Sequence, residues 1–149
     1  MSDWLRACLV AAVGLAMAGC GGGYQAKEGV IVKGTVLKGA QPLQVPRRDI
    51  GLGSVEVQLI PTGPLAASVG LETALADEQG AFEFRGAGRG VMPGKYKLAV
   101  YQHDNGLASD GLKGAFSDAN TPIEVEIPED KVGDTQDLGV LELNDQVKR

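Results

Sequence analysis

The chain has little of what most active sites are built from. Histidine occurs once, at position 103. Ser109, Ser117 and Asp104 lie near it in sequence, but no spacing holds a base between a nucleophile and an orienting acid, so a hydrolase is the least favoured reading. Aromatic residues make up 5% of the chain, while glycine occurs 22 times. Glycine weakens helix interiors, and no segment carries a long helical period, so a helix bundle is excluded in favour of a turn-rich β domain. Basic residues are outnumbered 14 to 19 and scattered, and the pI is about 4.8. That balance argues against nucleic acid as a partner. No internal repeat is evident, and 149 residues suit one domain.

Long apolar runs are also missing, with one partial exception. Residues 7–18, ACLVAAVGLAMA, are small and apolar almost without a break. The run is too short for a stable membrane-spanning helix and has the size of a signal-peptide core. It ends in Met17-Ala18-Gly19-Cys20, with Leu15 upstream and Gly21-Gly22-Gly23 after it. This resembles the bacterial lipobox, in which small residues precede a cysteine that becomes the lipidated amino terminus. The preceding MSDWLR sets Arg6 against Asp3, a weak basic region. A Cys8–Cys20 disulfide is rejected, because both residues lie in or beside the apolar run and Cys8 would be cut away. The resemblance implies a signal peptide over 1–19 and lipidation of Cys20. It leaves no free thiol in the mature chain, which suits an oxidising envelope.

Residues 20–29 read as a lipidated, flexible tether. Nine residues of glycine-rich coil reach roughly 15–18 Å. Beyond it the pattern switches to period two. Strands are predicted at 30–37, 55–59, 72–76, 82–84, 95–100, 123–127 and 137–143, each alternating apolar and polar residues. Asp77-Glu78-Gln79-Gly80 predicts a tight hairpin turn between the third and fourth, and Pro93-Gly94 a turn before the fifth. Seven short strands broken by Gly, Pro and Asp predict an all-β, antiparallel sandwich over 30–144, followed by a tail at 145–149.

Several motifs follow in order: Val32-x-Gly34-x-Val36, Gly39-x-x-Pro42-Leu43, Val55-x-Val57, Asp77-x-x-Gly80-x-Phe82-x-Phe84 and Pro93-Gly94-x-Tyr96-x-Leu98-x-Val100. Together they resemble the carboxypeptidase-regulatory-like, transthyretin-like (prealbumin-like) β-sandwich. Phe116-Ser117-Asp118 followed by Pro122-Ile123-Glu124-Val125 is similar to small bacterial lipoproteins built on that domain. The resemblance implies a fold and says little of function, since such folds host unrelated tasks. Related enzymes that hydrolyse hydroxyisourate, or that hold iron with paired Tyr and His, need more than one histidine. The chain departs from the family in about ten extra residues after Pro42-Leu43, QVPRRDIGLG, and in a long 86–91 loop.

The stretch Phe84 to Tyr96, FRGAGRGVMPGKY, has glycines at 86, 88, 90 and 94. A phosphate cradle needs such glycines to lead into a helix N-terminus, with a lysine and a Ser or Thr following. Here they lead into an alternating strand, so the stretch reads as a strand connection and not a nucleotide site. Asp104-Asn105-Gly106 and Ser109-Asp110-Gly111 offer hard oxygen ligands, but not in EF-hand order, and read first as turns. Lys33 and Asn144 could be joined by an isopeptide bond assisted by Glu56 or Glu83, yet alternation turns Lys33 to water. The Arg47-Arg48 pair and the acids Glu124, Glu126, Glu129 and Asp130 are surface candidates, either edge protection or a binding patch.

The expected protein is therefore a non-catalytic envelope lipoprotein, held to the lipid bilayer through Cys20 and placed at the outer membrane. Its candidate binding loops are 44–53, with Arg47 and Arg48, and 104–121, with Asp104 and Asp110. Long loops on a rigid scaffold are where binding residues usually sit. The expected partner is an envelope protein or glycan. The alternative is a carbohydrate- or calcium-binding domain using 104–121. No cofactor, resident metal, nucleotide or nucleic acid is expected.

Overall fold

In the computed structural model, residues 28–144 are described. The expected signal segment, Cys20 and most of the expected tether fall outside that range, as does the tail. Eight strands follow in chain order: β1 (Ile31–Lys38), β2 (Gln41–Pro42), β3 (Ser54–Pro61), β4 (Glu72–Ala76), β5 (Ala81–Phe84), β6 (Gly94–His103), β7 (Glu124–Ile127) and β8 (Thr135–Glu142). The helical residues lie in three short 3-10 turns, at Gly63–Ala67, Gly86–Gly88 and Glu129–Lys131. Period-two alternation explains the strands. In β3, Val55, Val57 and Leu59 are buried while Glu56 and Gln58 face outward.

The strands form two four-stranded sheets. In one, the order is β4-β3-β6-β7, antiparallel throughout. In the other, β1 is central. Val32, Lys33 and Thr35 each pair both with β5 and with β8, so those two strands flank it. The short β2 pairs with the far end of β1, at Leu37 and Lys38.

Two expectations need correction. The seven-stranded, fully antiparallel arrangement is replaced by eight strands in which β1 and β8 run parallel. The reason is where the chain turns. Residues 128–134 reverse it beside the start of β1, where Ile31 N donates to Asp134 O, so β8 must leave in the same direction. The Asp77–Gly80 turn forms as expected, with Asp77 Oδ1 accepting from Gln79 N and Ala81 N. It is not a ladder hairpin, however, because β4 and β5 belong to different sheets. The turn carries the chain from one sheet to the other.

One core joins the two sheets. Val32, Val36, Phe82 and Phe84 come from the first, and Val55, Val57, Leu59, Leu98 and Val100 from the second. Burying each such side chain contributes roughly 1.5–3 kcal/mol. The Lys33–Asp137 ion pair, 3.5 Å long with both side chains about half exposed, contributes far less. Core burial is therefore what holds the sheets. Lys33 faces outward, as alternation predicted. Gly34 faces inward with Val32 and Val36, and a Cβ there would lie 2.8 Å from the ring of Phe82, so the position favours glycine.

At the pole where β1 begins, the glycine-rich stretch grips the start of the domain. Glu28 N donates to Arg89 O, Val30 N to Val91 O and Val91 N back to Val30 O, while Gly133 N donates to Gly29 O from the other side. A Cβ on Gly29 would lie 2.5 Å from the backbone of Gly90 and Val91, so only glycine fits that contact. The stretch is the strand connection expected. Its Gly88 and Gly90 amides both donate to Arg85 O, at 3.0 and 2.9 Å, so they are spent inside the loop. The extra length of 86–91 serves this clamp.

Tyr96 closes the same pole from within. Its ring is buried and its hydroxyl donates to Met92 O at 2.7 Å. Burial, helped by the charge of Glu72, pushes its pKa up to about 12. The folded state thus holds the phenolic proton more tightly than the unfolded chain, whose tyrosines titrate near ~10. That contribution is complete below about pH 10 and is lost as pH rises towards 12. Tyr96→Phe should cost about 1 kcal/mol at neutral pH. In urea titrations repeated from neutral to strongly alkaline pH, it should also flatten the alkaline fall in stability. An unchanged alkaline slope would show that Tyr96 does not set it.

Candidate functional site

The two loops singled out by length meet at the opposite pole, where β3 begins and β6 ends. Gly106 N donates to Leu52 O at 2.7 Å, and Gln102 Nε2 donates to Gln44 O at 2.8 Å. Arg47 Nη1 donates to Asn105 Oδ1 at 2.6 Å. Arg47 takes a left-handed backbone conformation, φ 62°, so that its carbonyl accepts from both Leu52 N and Gly53 N. This turn also separates the two arginines. Arg48 Nη1 donates instead to Ala76 O at the end of β4, 2.8 Å away. Arg47 and Arg48 therefore point to different elements and do not form a joint basic patch. The acidic set is also remote: Glu124 and Glu126 lie on β7, in register with Lys97 and Lys95.

Asp110 organises the second loop from inside. Its Oδ1 accepts from Gln102 N and Leu112 N, each at 3.0 Å, and its Oδ2 from Gly114 N at 2.7 Å. Ser109 adds a second knot, its Oγ accepting from Asp104 N and Asn105 N and donating to Gly106 O. Asp104 is different, since its Oδ1 is buried and accepts no hydrogen bond. Among the described residues, no three His, Cys, Asp or Glu side chains converge as a metal would require.

The rest of the 104–121 segment does the work of a strand. β7 covers β6 only from Gly94 to Lys97. Past that point Leu98 N donates to Ile123 O, Val100 N to Phe116 O, and Gln102 N to Asp110, while Thr121 Oγ1 donates to Leu98 O at 2.6 Å. Leu112 and Phe116 drop into the core beside this edge. The segment is long because it must satisfy an exposed sheet edge without a regular strand.

His103 is buried at the end of β6, 6% exposed. It lies on the outer face of β6, between Glu56 on β3 and the 104–109 loop. Its Nδ1 lies 2.9 Å from Ser109 O, and a carbonyl only accepts, so Nδ1 carries a hydrogen. Its Nε2 lies 3.2 Å from Glu56 Oε2, while Glu56 Oε1 accepts from Gln58 Nε2 at 2.6 Å. The ring of Tyr101 lies parallel to His103 with centroids 6.1 Å apart, and its hydroxyl accepts from Asp118 N. Both imidazole nitrogens are thus engaged. The Ser109 hydroxyl bonds to backbone groups and the Ser117 hydroxyl to Gly114 O and Asn120 Nδ2, neither of them to the ring. Nothing in this geometry activates a nucleophile. The arrangement fastens the loop to the sheet.

Together Glu56, Gln58, Tyr101, His103 and Leu107 line an open recess of about 250 Å³. Of these, sequence reasoning named only Glu56 and His103, and for other roles. Alternation marks Glu56 and Tyr101 as outward-facing, but the register that sets Glu56 opposite Tyr101 is not written in either strand.

No protein family, curated protein or solved structure matches this chain.

If Asp110 is the organiser, Asp110→Ala should strand three backbone amides and destabilise the domain by about 1–3 kcal/mol. Hydrogen exchange at Gln102, Leu112 and Gly114 should accelerate before that of β3. Unchanged protection at those amides would show that the loop is held elsewhere.

Proposed function

We propose that this chain is a lipid-anchored, non-catalytic binding module of a bacterial cell envelope, built on a transthyretin-like sandwich of the carboxypeptidase-regulatory-like kind. One observation carries the reading. The domain's amino-terminal strand starts at one pole, and the two long loops are stitched together at the other. A tether attached through Cys20 would then hold the loop pole away from the bilayer, towards a partner protein. The lipobox resemblance supports the anchor, and the ordered motifs around Gly34, Gly80 and Pro93-Gly94 support the fold. Several acyl chains, each methylene adding about 0.8 kcal/mol, would together anchor such a domain firmly. An outer-membrane position follows from the glycine after Cys20, in bacteria that read an acidic residue there as a retention signal.

A second reading is favoured by the unpartnered Asp104 Oδ1: calcium or a glycan held by 104–121. Against it, both oxygens of Asp110 are already taken by backbone amides. Calorimetry with calcium chloride and cell-wall sugars separates the two. No heat and no rise in Tm would dismiss this reading.

The binding reading is tested in cells with a photo-crosslinking residue at position 107 or 132. Leu107 is exposed at the loop pole and Val132 at the amino-terminal pole. A discrete adduct is expected from 107 and not from 132, and it should disappear with Cys20→Ser. Adducts from neither position, or the same adducts from both, would contradict it.

A further inference from the structure

The amino-terminal pole carries an apolar surface around the root of the domain. Residues 57–71 hold no charge, the longest uncharged run among the described residues. The second half of this run, 62–71, turns β3 back into β4 at this pole, where Thr62 N donates to Lys95 O. Pro64, Ala66, Ala67 and Leu71 are exposed there, Leu71 at 55%. Leu65 packs over Gly94, where a Cβ would lie 2.6 Å from its Cδ2, and so sets the segment beside Pro93 and Met92. Met92 is 44% exposed. Val132, also 44% exposed, stands on the other side of the clamp, one residue before the Gly133 amide that donates to Gly29 O. Leu71, Met92 and Val132 contribute nothing to the core. Exposed apolar side chains gathered at one end of a domain mark a contact surface.

We propose that this pole seats on the surface of the lipid bilayer, with Leu71, Met92 and Val132 at the headgroup–acyl boundary, so that the domain stands upright on its tether. The inference rests on the lipid-anchor reading and names the surface on which the anchored domain rests. The length of chain before the domain selects the occupant. Glu28 follows Cys20 by eight residues. Eight residues would reach at most about 29 Å fully extended, and roughly 15 Å as glycine-rich coil. An acylated Cys20 therefore keeps this pole next to the headgroups, while the loop pole lies a full strand length further off. So short a tether gives an effective concentration in the millimolar range, at which a contact too weak to hold a free protein is still populated. Charge does not drive the contact. Glu28 and Arg89 pair with each other at 3.6 Å. Beside Val132, Glu129, Asp130 and Asp134 stand against Lys131 alone, three acids to one base, for a net charge of −2. The seat is therefore apolar, works on a zwitterionic bilayer and resists salt.

The full chain, with Cys8→Ser, is made in a bacterial host, its acylation read by intact mass, and reconstituted into phosphatidylcholine nanodiscs. Single spin labels are placed at Leu71→Cys, Met92→Cys, Val132→Cys or, at the far pole, Leu107→Cys. Collision rates with oxygen, which concentrates in the acyl region, are compared with those of a water-soluble nickel chelate. Labels at 71, 92 and 132 should favour oxygen, and the label at 107 the chelate. Leu71→Ser with Met92→Ser, both outside the core and expected to leave Tm unchanged, should return the label at 132 to the value found at 107. If Cys20 is acylated and all four labels favour the chelate, the seat falls and the anchor stands. If Cys20 carries no acyl group and the chain does not fractionate with membranes, both fall. Labels at 71, 92 and 132 shielded from oxygen and chelate alike would mean that a protein covers this pole, and would overturn the assignment. So would an oxygen preference at 107 as well, or one that high salt abolishes.

Discussion

Strand β1 is bonded along both of its edges, and the rest of the molecule follows from that constraint. Its residues pair with β8 on one side and with β5 and β2 on the other. A strand so enclosed cannot slip, because a one-residue shift would turn Val32, Gly34 and Val36 outward and expose the core they face. β1 also fixes the long axis. It leaves the clamp formed by Arg89, Val91 and Gly133 at one pole. It ends beside Ala40, whose amide reaches the carboxylate of Glu142, and Leu143, which donates to Leu37 O, at the other.

Rigid sheets and a hydrophobic core explain the middle of the domain. The loop pole is held by different physics. There the chain lacks regular ladders, and side chains stand in for them: Asp110 for a strand's acceptors, Ser109 for a turn, Arg47 for a bond between loops. Each such hydrogen bond is worth only about 0.5–1.5 kcal/mol net, but leaving its backbone partners buried and unmet costs more. Loops held this way are firm enough to present a surface, while their tips, at Ile50 and Leu107, stay exposed. His103 belongs to this system. It contacts Glu56 on one side and Ser109 O on the other, and so joins the loop to the sheet face.

Legibility in the sequence divides along the same line. All seven long strands were legible, because alternation is a local signal: Val55, Val57 and Leu59 announce their own face. The parallel course of β8 was not, since it depends on where residues 128–134 lie in space. Nor was the passage of the chain between sheets at Asp77–Gly80, because the turn chemistry is the same whether a hairpin or a crossover follows. The segment 104–121 looked like loop because its order comes from carboxylate-to-amide bonds and from the unfinished edge of β6, neither of which has a period. The arginine pair looked like one feature until the positive φ at Arg47 sent its side chains apart. His103 was visible as an isolated residue, but its burial is conferred by a loop that returns over it.

The separation of the two poles is the claim on which the binding reading stands, and it can be measured directly. Spin labels would be placed at Glu28→Cys and Leu107→Cys, with Cys8 and Cys20 replaced by serine, and their distance read by pulsed dipolar spectroscopy. Eight residues of strand at about 3.3 Å each, with the flanking turns, predict a single narrow peak near ~30 Å. A peak below about 20 Å, or a broad distribution without a peak, would contradict a rigid domain with its loops held away from its amino-terminal root.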